Sequence, residues 1–403
     1  MRADDTTCPV TGSGTTDPLP FPFPLPTALE PPAEWRRLQQ ECPVARVHTV
    51  VGEDALLLTR YEDVRAILAD PRFTRRPLDD AEDGSFPSTI AQGEGHLRWR
   101  RLLSRSFTVK RMRALQPRIE GIAHELIDEM LRQGAPADLR TALGFPLPVF
   151  VICDLLGVPA ADRAKFAHWS DHMLNLTRYT EDEVRESGQE LWNYLAEHVR
   201  AKRAEPGDDL LSELTAVSDA DDGRLSETEL IATGQALLIA GHETTANMIG
   251  KMAAMLLSRR ERWESLLADR ALVDPAVEEV LRFDANLGST GMHRHITEPV
   301  EVGGTTIEAG STVLALMQAA NRDEDAFADA AEMDLARTPN PHLTFGAGPH
   351  SCLGQSLARV ELRTVLAALL DRVPGLELAI PADDLRRREG LLVGGLEEVP
   401  VRW

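Results

Sequence analysis

Cysteine is scarce: Cys8, Cys42, Cys153 and Cys352 are the only four in 403 residues. Scattered this widely they do not make a disulfide framework, so a reducing compartment, the cytoplasm, is expected. Cations are also few, with 43 Lys+Arg against 64 Asp+Glu, and the lysines are only Lys110, Lys165, Lys202 and Lys251. A net charge of −21 argues against a nucleic-acid partner, because clustered cations are what hold a phosphate backbone. No apolar run approaches the roughly 18–20 residues that cross a bilayer. The longest, Ala142 to Pro159, is broken by Pro146, Pro148 and Asp154. No basic stretch leads into an apolar one at the N-terminus, so neither a signal peptide nor a membrane association is expected. Also missing is a Gly-rich turn after a strand, the cradle of a dinucleotide, so no flavin or NAD(P) site of its own is expected.

What remains can build a large core: 43% of residues are hydrophobic and 27% charged, as in ordinary soluble proteins. Residues 1–33 form a Pro-rich arm with Phe21-Pro22-Phe23-Pro24-Leu25-Pro26 in its middle. Alternating prolines forbid helix and predict an extended path along the surface. Nothing divides residues 34–403, which are expected to be a single domain. Val44–Thr59 reads as short strands, and Tyr61–Leu68 has helical spacing. From about His96 to Arg270 nearly every segment is helical in pattern, with breaks at Gly134-Ala135-Pro136, Gly157-Val158-Pro159 and Glu205-Pro206-Gly207. Ser226-Glu227-Thr228-Glu229 is a capping-box pattern that opens a long helix to Leu257. Asp274-Pro275 reads as N-cap and first residue of another. Between Met292 and Leu316, Val300, Val302, Ile307, Val313 and Leu314 with Gly303-Gly304 and Gly310 predict a small sheet. Helix returns at Leu353–Val373, followed by short strands and turns. The fold class expected is mainly α with a minor β region.

One segment carries most of the chemistry, Phe345-Gly346-Ala347-Gly348-Pro349-His350-Ser351-Cys352-Leu353-Gly354. It is an irregular loop running into a strongly helical stretch, and a cysteine at a helix N-terminus is favoured as the thiolate. Such a thiolate serves as a nucleophile with His350 as base, as a zinc ligand, or as the axial ligand of a haem iron. Zinc is disfavoured because no second Cys or His ligand lies at short spacing. A buried structural cysteine is the fate of most lone cysteines. Within the long helix, Gly241, Thr244 and Thr245 are poor helix formers placed together, and Thr244 is set to bond back to the carbonyl of Ala240. Glu279 and Arg282 fall on one helix face. His168 and His172 sit four apart, without a third ligand, and are read as surface residues.

The loop resembles F-G-x-G-x-H-x-C-x-G, the cysteine-ligand loop of the cytochrome P450 family. Ala240-Gly241-His242-Glu243-Thr244-Thr245 looks like its oxygen-activating stretch, Glu279-Val280-Leu281-Arg282 like its E-x-x-R, and His96-Leu97-Arg98-Trp99-Arg100 like its H-x-x-x-R. The resemblance runs from about Trp35 to Trp403 and implies a triangular helical body with small β-sheets. It implies haem b (iron protoporphyrin IX) held through Cys352, with Phe345, Gly346 and Gly354 shaping the loop and Gly241 leaving room for the macrocycle. His96, Arg100, Arg294 and His350 would meet the propionates. Thr244 would orient the water that delivers protons during O₂ cleavage, fed by Glu243, while Glu279 and Arg282 are structural. The family usually adds an arginine in the segment Asp329–Arg337, where this chain has Glu332; Arg322 and Arg337 are the candidates to replace it. Ile239, Ala240, Thr245, Leu287 and Gly288 are the candidate substrate wall. His293 and His295, alternating with Arg294, point away from the haem.

The activity implied is insertion of one oxygen atom of O₂ into a hydrophobic small molecule. With no electron module in the chain, a ferredoxin and its NAD(P)H-dependent reductase are the expected partners, and a monomer is expected. The resemblance is closest to actinobacterial enzymes that tailor natural products, so a macrolide, other polyketide or peptide-derived metabolite is the substrate class. Irregular segments at Thr74–Gly95 and Ser170–Val184 are read as covers of the pocket. The rival readings are oxidative coupling or peroxide-driven oxidation, a non-catalytic auxiliary relative, and a cysteine hydrolase using Cys352 and His350.

Overall fold

The computed structural model describes residues 17–50, 52–74, 93–174, 178–216, 225–285, 291–388 and 393–403. Of the expected pocket covers, most of Thr74–Gly95 and the middle of Ser170–Val184 lie outside the described residues. In chain order, the helices that carry the argument are α1 (Tyr61–Ala69), α2 (Gly93–Ser104), α3 (Val109–Ala114), α4 (Pro146–Leu155), α5 (Arg163–Leu174), α6 (Glu181–Ala204), α7 (Glu227–Leu257), α8 (Val273–Phe283) and α9 (Gln355–Arg372). The strands are β1 (Leu19–Phe21), β2 (Val44–Thr49), β3 (Asp54–Leu58), β4 (Phe73–Thr74), β5 (Met292–Ile296), β6 (Thr312–Ala315), β7 (Arg387–Arg388) and β8 (Gly395–Leu396). The chain forms two compact units, Met1–Arg76 with Glu278–Cys352, and Pro77–Val277 with Leu353–Trp403.

The first unit is built on a six-stranded sheet in the order β1-β2-β3-β6-β5-β4. Leu57 and Leu58 on β3 are both fully buried, one in each of two apolar clusters, as the period-two alternation of a strand requires. Leu57 packs with Phe21, Leu38 and Leu314; Leu58 packs with Tyr61, Val64 and Phe327. The proline arm is extended, as expected, and most of its described residues are exposed or half-buried, but it is anchored by buried rings. Its β1 pairs parallel to β2, Leu19 opposite Val47, and Phe21 and Phe23 meet edge to face at 5.5 Å with 5% and 7% of their surface exposed. Burying two rings outweighs the poor pairing capacity of the prolines. Cys42, given no role from sequence, is disulfide-bonded.

The small sheet expected between Met292 and Leu316 is instead divided. Strands β5 and β6 join the six-stranded sheet, Arg294 opposite Val313, while Val300–Val302 and Thr305–Ile307 pair as a separate hairpin. That hairpin turns through Gly303 and Gly304, at φ +56° and +77°, the left-handed pair that matches strand twist.

The second unit is helical, with its helices ending at Gln133, Leu155 and Ala204 where the Gly/Pro breaks fall. Its centre is α7, 31 residues long and packed on α4, α5, α6 and α9. Both bonds of its capping box form: Ser226 Oγ accepts from Glu229 N at 3.1 Å, and Glu229 Oε2 accepts from Ser226 N at 2.8 Å. Helix α8 starts two residues earlier than its sequence signal, at Val273 and not Pro275, because a 3₁₀ turn capped by Asp269 leads the chain in. Asp274 and Pro275 therefore sit inside its first turn. Among the described residues, no helix is long and apolar enough to cross a membrane.

Candidate active site

Cys352 ends a loop whose shape is fixed by glycines. Its N–H donates to Phe345 O at 2.7 Å, and Gly346 N donates to Leu343 O at 2.7 Å. Gly346 and Gly348 lie at φ +69° and +70°, a region open to glycine. At Gly348 a Cβ would come within 2.6 Å of Ala69 Cα and 2.7 Å of Leu68 O, so the end of α1 fills the space of a side chain. The loop is tied to α8 through Thr344, whose hydroxyl donates to Leu281 O at 2.6 Å and accepts from Asn321 Nδ2 at 3.0 Å. The thiol of Cys352 is exposed, whereas Cys153 is buried and desolvation pushes its thiol up to about 12. Of these two free cysteines only Cys352 offers a reactive sulfur. Gly354 caps α9, which begins at Gln355.

Behind the loop lies a buried ionic scaffold. Glu279 and Arg282 are fully buried and meet as a fork, Nη2 to Oε1 at 2.7 Å and Nε to Oε2 at 2.8 Å. The third member is Arg337, with Nε 3.1 Å from Glu279 Oε2. Asn340 Nδ2 at 3.0 Å and Asp334 N at 2.9 Å complete the carboxylate's shell. Position 332 contributes its carbonyl, which accepts from Arg282 Nη2 at 3.0 Å and from Arg337 Nη2 at 3.4 Å. Arg322 lies elsewhere, stacked 3.3 Å from the centre of the Phe283 ring.

On α7 every residue from Glu229 to Leu257 is buried except Ala236, Ile239, Ala240, Gly241 and Thr244. These fall three and four apart, so a single open stripe of small and apolar residues runs along a helix otherwise enclosed. Thr244 Oγ1 donates to Ala240 O at 2.7 Å, the back-bond the sequence predicts. A Cβ at Gly241 would meet Ile152 Cδ1 at 2.8 Å, so the missing side chain also lets α4 approach. Of the candidate substrate wall, Ile239 and Ala240 lie on the stripe, Thr245 is buried off it, and Leu287 and Gly288 lie outside the described residues.

Glu243 is buried beside the stripe and lines a small polar cavity with Arg140, Asp171, His242 and Arg388. Its Oε2 has no hydrogen-bond partner. Burial pushes its carboxyl up to about 7, against the pull of Arg388 and Arg140. His242, with Nε2 3.1 Å from Phe145 O and Nδ1 2.5 Å from Ser170 Oγ, is held neutral, burial bringing it down to about 4. Sequence reasoning missed Arg140, Asp171 and Arg388; they come from three separate segments, and no spacing links them.

The four propionate candidates are divided between the units, His96 and Arg100 in the second and Arg294 and His350 in the first. His96 and Arg100 lie four apart on α2, which is pinned to α7 by Trp99 Nε1 to Thr233 Oγ1 at 2.9 Å and by Arg98 with Glu229. Arg294 is buried on β5 between the less buried His293 and His295, as the strand alternation predicts. His350 closes the 3₁₀ turn Gly348–His350. The His168 and His172 rings lie 4.1 Å apart, tilted by 52°, and the described residues contain no group of three metal-ligating side chains.

Within the first unit, the exposed Cys352 and the buried Arg294 are a donor set that fits a haem thiolate. The cytochrome P450 family model matches residues 152–373. The chain is 44% identical over 373 residues to the mycinamicin IV hydroxylase/epoxidase of Micromonospora griseorubida, covering 91% of this chain and 94% of that one. The chain belongs to the cytochrome P450 family. It is also 43% identical to the nocardicin C N-oxygenase of Nocardia uniformis subsp. tsuyamanensis, covering 96% of this chain and 99% of that one. Among solved structures, the mixed-function P450 MycG superposes with a TM-score of 0.90 at 41% identity, over 96% of this chain and 100% of that one. This P450 is a monooxygenase whose family implies a haem-thiolate iron cofactor and O₂. Family membership displaces the cysteine-hydrolase reading.

Proposed function

We propose that this P450 inserts one atom of O₂ into a C–H or C=C bond of a hydrophobic secondary metabolite of the macrolide, polyketide or peptide-derived class. The substrate class rests on relatives named for acting on mycinamicin IV and nocardicin C. The observation that carries the chemistry is the exposed Cys352 thiol in a loop closed by its own backbone. Cys352 would hold haem b, and His96, Arg100, Arg294 and His350 would hold its carboxylates by charge-assisted bonds. When bound, a haem thiolate supplies the oxidising power and favours O–O cleavage.

The chain's own residues orient the substrate and move protons. Ile239 and Ala240 offer an apolar wall that excludes water. Glu243 holds a proton near neutral pH. Thr244 Oγ1 donates to Ala240 O, and a hydroxyl oxygen also accepts, so Thr244 would orient the water that passes the Glu243 proton on. The buried Glu279–Arg282–Arg337 cluster keeps the loop rigid and takes no part in the chemistry.

Electrons would come from a separate ferredoxin and its reductase. Support comes from Gly95–Ile119, which holds no Asp or Glu in an otherwise acidic chain. Arg101, Arg105, Lys110 and Arg113 are exposed there, beside the exposed Leu97 and Val109. A basic face with apolar residues suits a small acidic electron carrier. We further propose that residues 34–403 work as a single domain and that the protein acts as a cytoplasmic monomer.

The test is the reduced, CO-bound spectrum. A Soret band shifted strongly to the red is expected and should vanish in Cys352→Ser; a variant that kept it would refute the ligand assignment. A spectral titration of the ferric protein with a metabolite panel then finds the substrate. The likeness to an N-oxygenase makes oxidation at nitrogen the second reading, which product analysis distinguishes.

A further inference from the structure

The cavity beside Glu243 contains an unequal set of charges. Two guanidinium groups line it, Arg140 from the π-helical turn Arg140–Gly144 and Arg388 from β7, with one opposing carboxylate, Asp171 from α5. His242 brings no charge at neutral pH. Its Nε2 faces the Phe145 carbonyl and so carries the proton, leaving Nδ1 to accept from Ser170. The other lining residues, among them Phe145, Leu174 and Asn247, are uncharged.

Within this set Arg388 has two carboxylates to serve. Its Nη2 lies 3.8 Å from Asp171 Oδ1, and it lines the same cavity as the unpartnered Oε2 of Glu243. Asp171 is itself engaged: the Tyr179 hydroxyl donates to its Oδ2 at 2.5 Å, and Arg178 stands 3.7 Å away. These contacts hold the Asp171 carboxylate in place, and its negative charge offsets part of the field of Arg388. Burial, and then the neighbouring Arg388, make the charge of Arg140 harder to hold.

We propose that Arg388 is a positioning residue for the proton on Glu243: one guanidinium shared between Asp171 and Glu243, with Asp171 deciding how much of its field reaches Glu243. The inference rests on the reading of Glu243 as proton donor and adds the groups that tune it. Removing Arg388 takes away a positive charge and makes Glu243 hold its proton to higher pH. Removing the charge of Asp171 takes away a negative neighbour and releases Arg388, so Glu243 gives up its proton at lower pH. A merely structural role would not move the two variants in opposite directions.

The test is an infrared titration of the haem-loaded protein, following the C=O stretching band of the protonated carboxyl that is lost in Glu243→Gln. In Arg388→Gln the midpoint should rise by about one pH unit, the scale of one near opposite charge. Arg388→Lys should keep it near the parent value, and Asp171→Asn should lower it. Unmoved midpoints in Arg388→Gln and Asp171→Asn, or shifts of the same sign, would overturn the proposal. If Arg388→Gln fails to load haem, Asp171→Asn and Arg388→Lys decide alone. The donor reading is checked separately through peroxide leakage: Glu243→Gln without added leakage would defeat that reading whatever the infrared midpoints show.

Discussion

Arg337 Nε lies 3.1 Å from Oε2 of the fully buried Glu279 and donates to both carboxylate oxygens. The arginine that the family places in this segment is thus present in function, supplied from Arg337 and not from position 332. Arg337→Leu would leave Glu279 with Arg282 as its remaining charged partner, and breaking a buried ion network costs about 3–5 kcal/mol. Arg322→Leu breaks no contact with Glu279; it removes the stacking on Phe283 and hydrogen bonds to the Phe283 and Ala331 carbonyls, together about 1–2 kcal/mol. Denaturant midpoints of the two variants should differ accordingly. Equal losses would refute the assignment of Arg337.

At Gly348 the obstacle to a side chain is backbone, which cannot swing away. Gly348→Ala should therefore unseat the cysteine loop and cost several kcal/mol, on the order of overpacking plus left-handed strain. Gly346→Ala meets nothing closer than 3.8 Å and should cost only about 1 kcal/mol for its dihedral. Haem retention during dialysis, measured from the Soret absorbance, should fall sharply in the first variant and little in the second.

Burial holds Glu243 protonated up to about 7, above its ordinary value of 4.5. Below that midpoint the carboxyl has a proton to give, and above it the proton is gone. Coupled product formation should accordingly decline on the alkaline side with a midpoint near 7, and Glu243→Gln should lose that limb. Stability follows the same sign. The raised value favours the folded state fully below pH 4.5, and the advantage disappears as pH rises through about 7. Unfolding measured across that window should show a loss that Glu243→Gln lacks.

Thr244→Ala removes the hydroxyl but leaves the helix, since alanine is a better helix former than threonine. Haem binding and substrate titration should survive. Product per NAD(P)H should drop about a hundredfold, the low end of the range for a lost acid–base contribution, with hydrogen peroxide making up the difference. An unchanged yield would remove Thr244 from the proton path.

Charge reversal at Arg105 and Lys110 should slow reduction by a ferredoxin about tenfold at low salt, with the difference fading as salt screens it. The ferric substrate titration should not change. Stopped-flow reduction at several ionic strengths gives both readings, and a salt-independent effect would argue against an electrostatic docking face.

The sequence alone determined what depends on local rules. The cysteine loop, the Ser226 capping box, the Thr244 back-bond and the helix ends at Gly/Pro breaks are all short-range, so residue identity and spacing suffice to specify them. The candidate site was legible for the same reason, since motif residues sit close together along the chain. What sequence could not decide was which distant groups share a buried space. That Arg337 and not Arg322 reaches Glu279, that Gly241 makes room for Ile152, and that Arg140, Asp171 and Arg388 surround Glu243 all depend on contacts between segments far apart in the chain. Close packing and the cost of burying charge choose those partners, and both act only once the chain has folded.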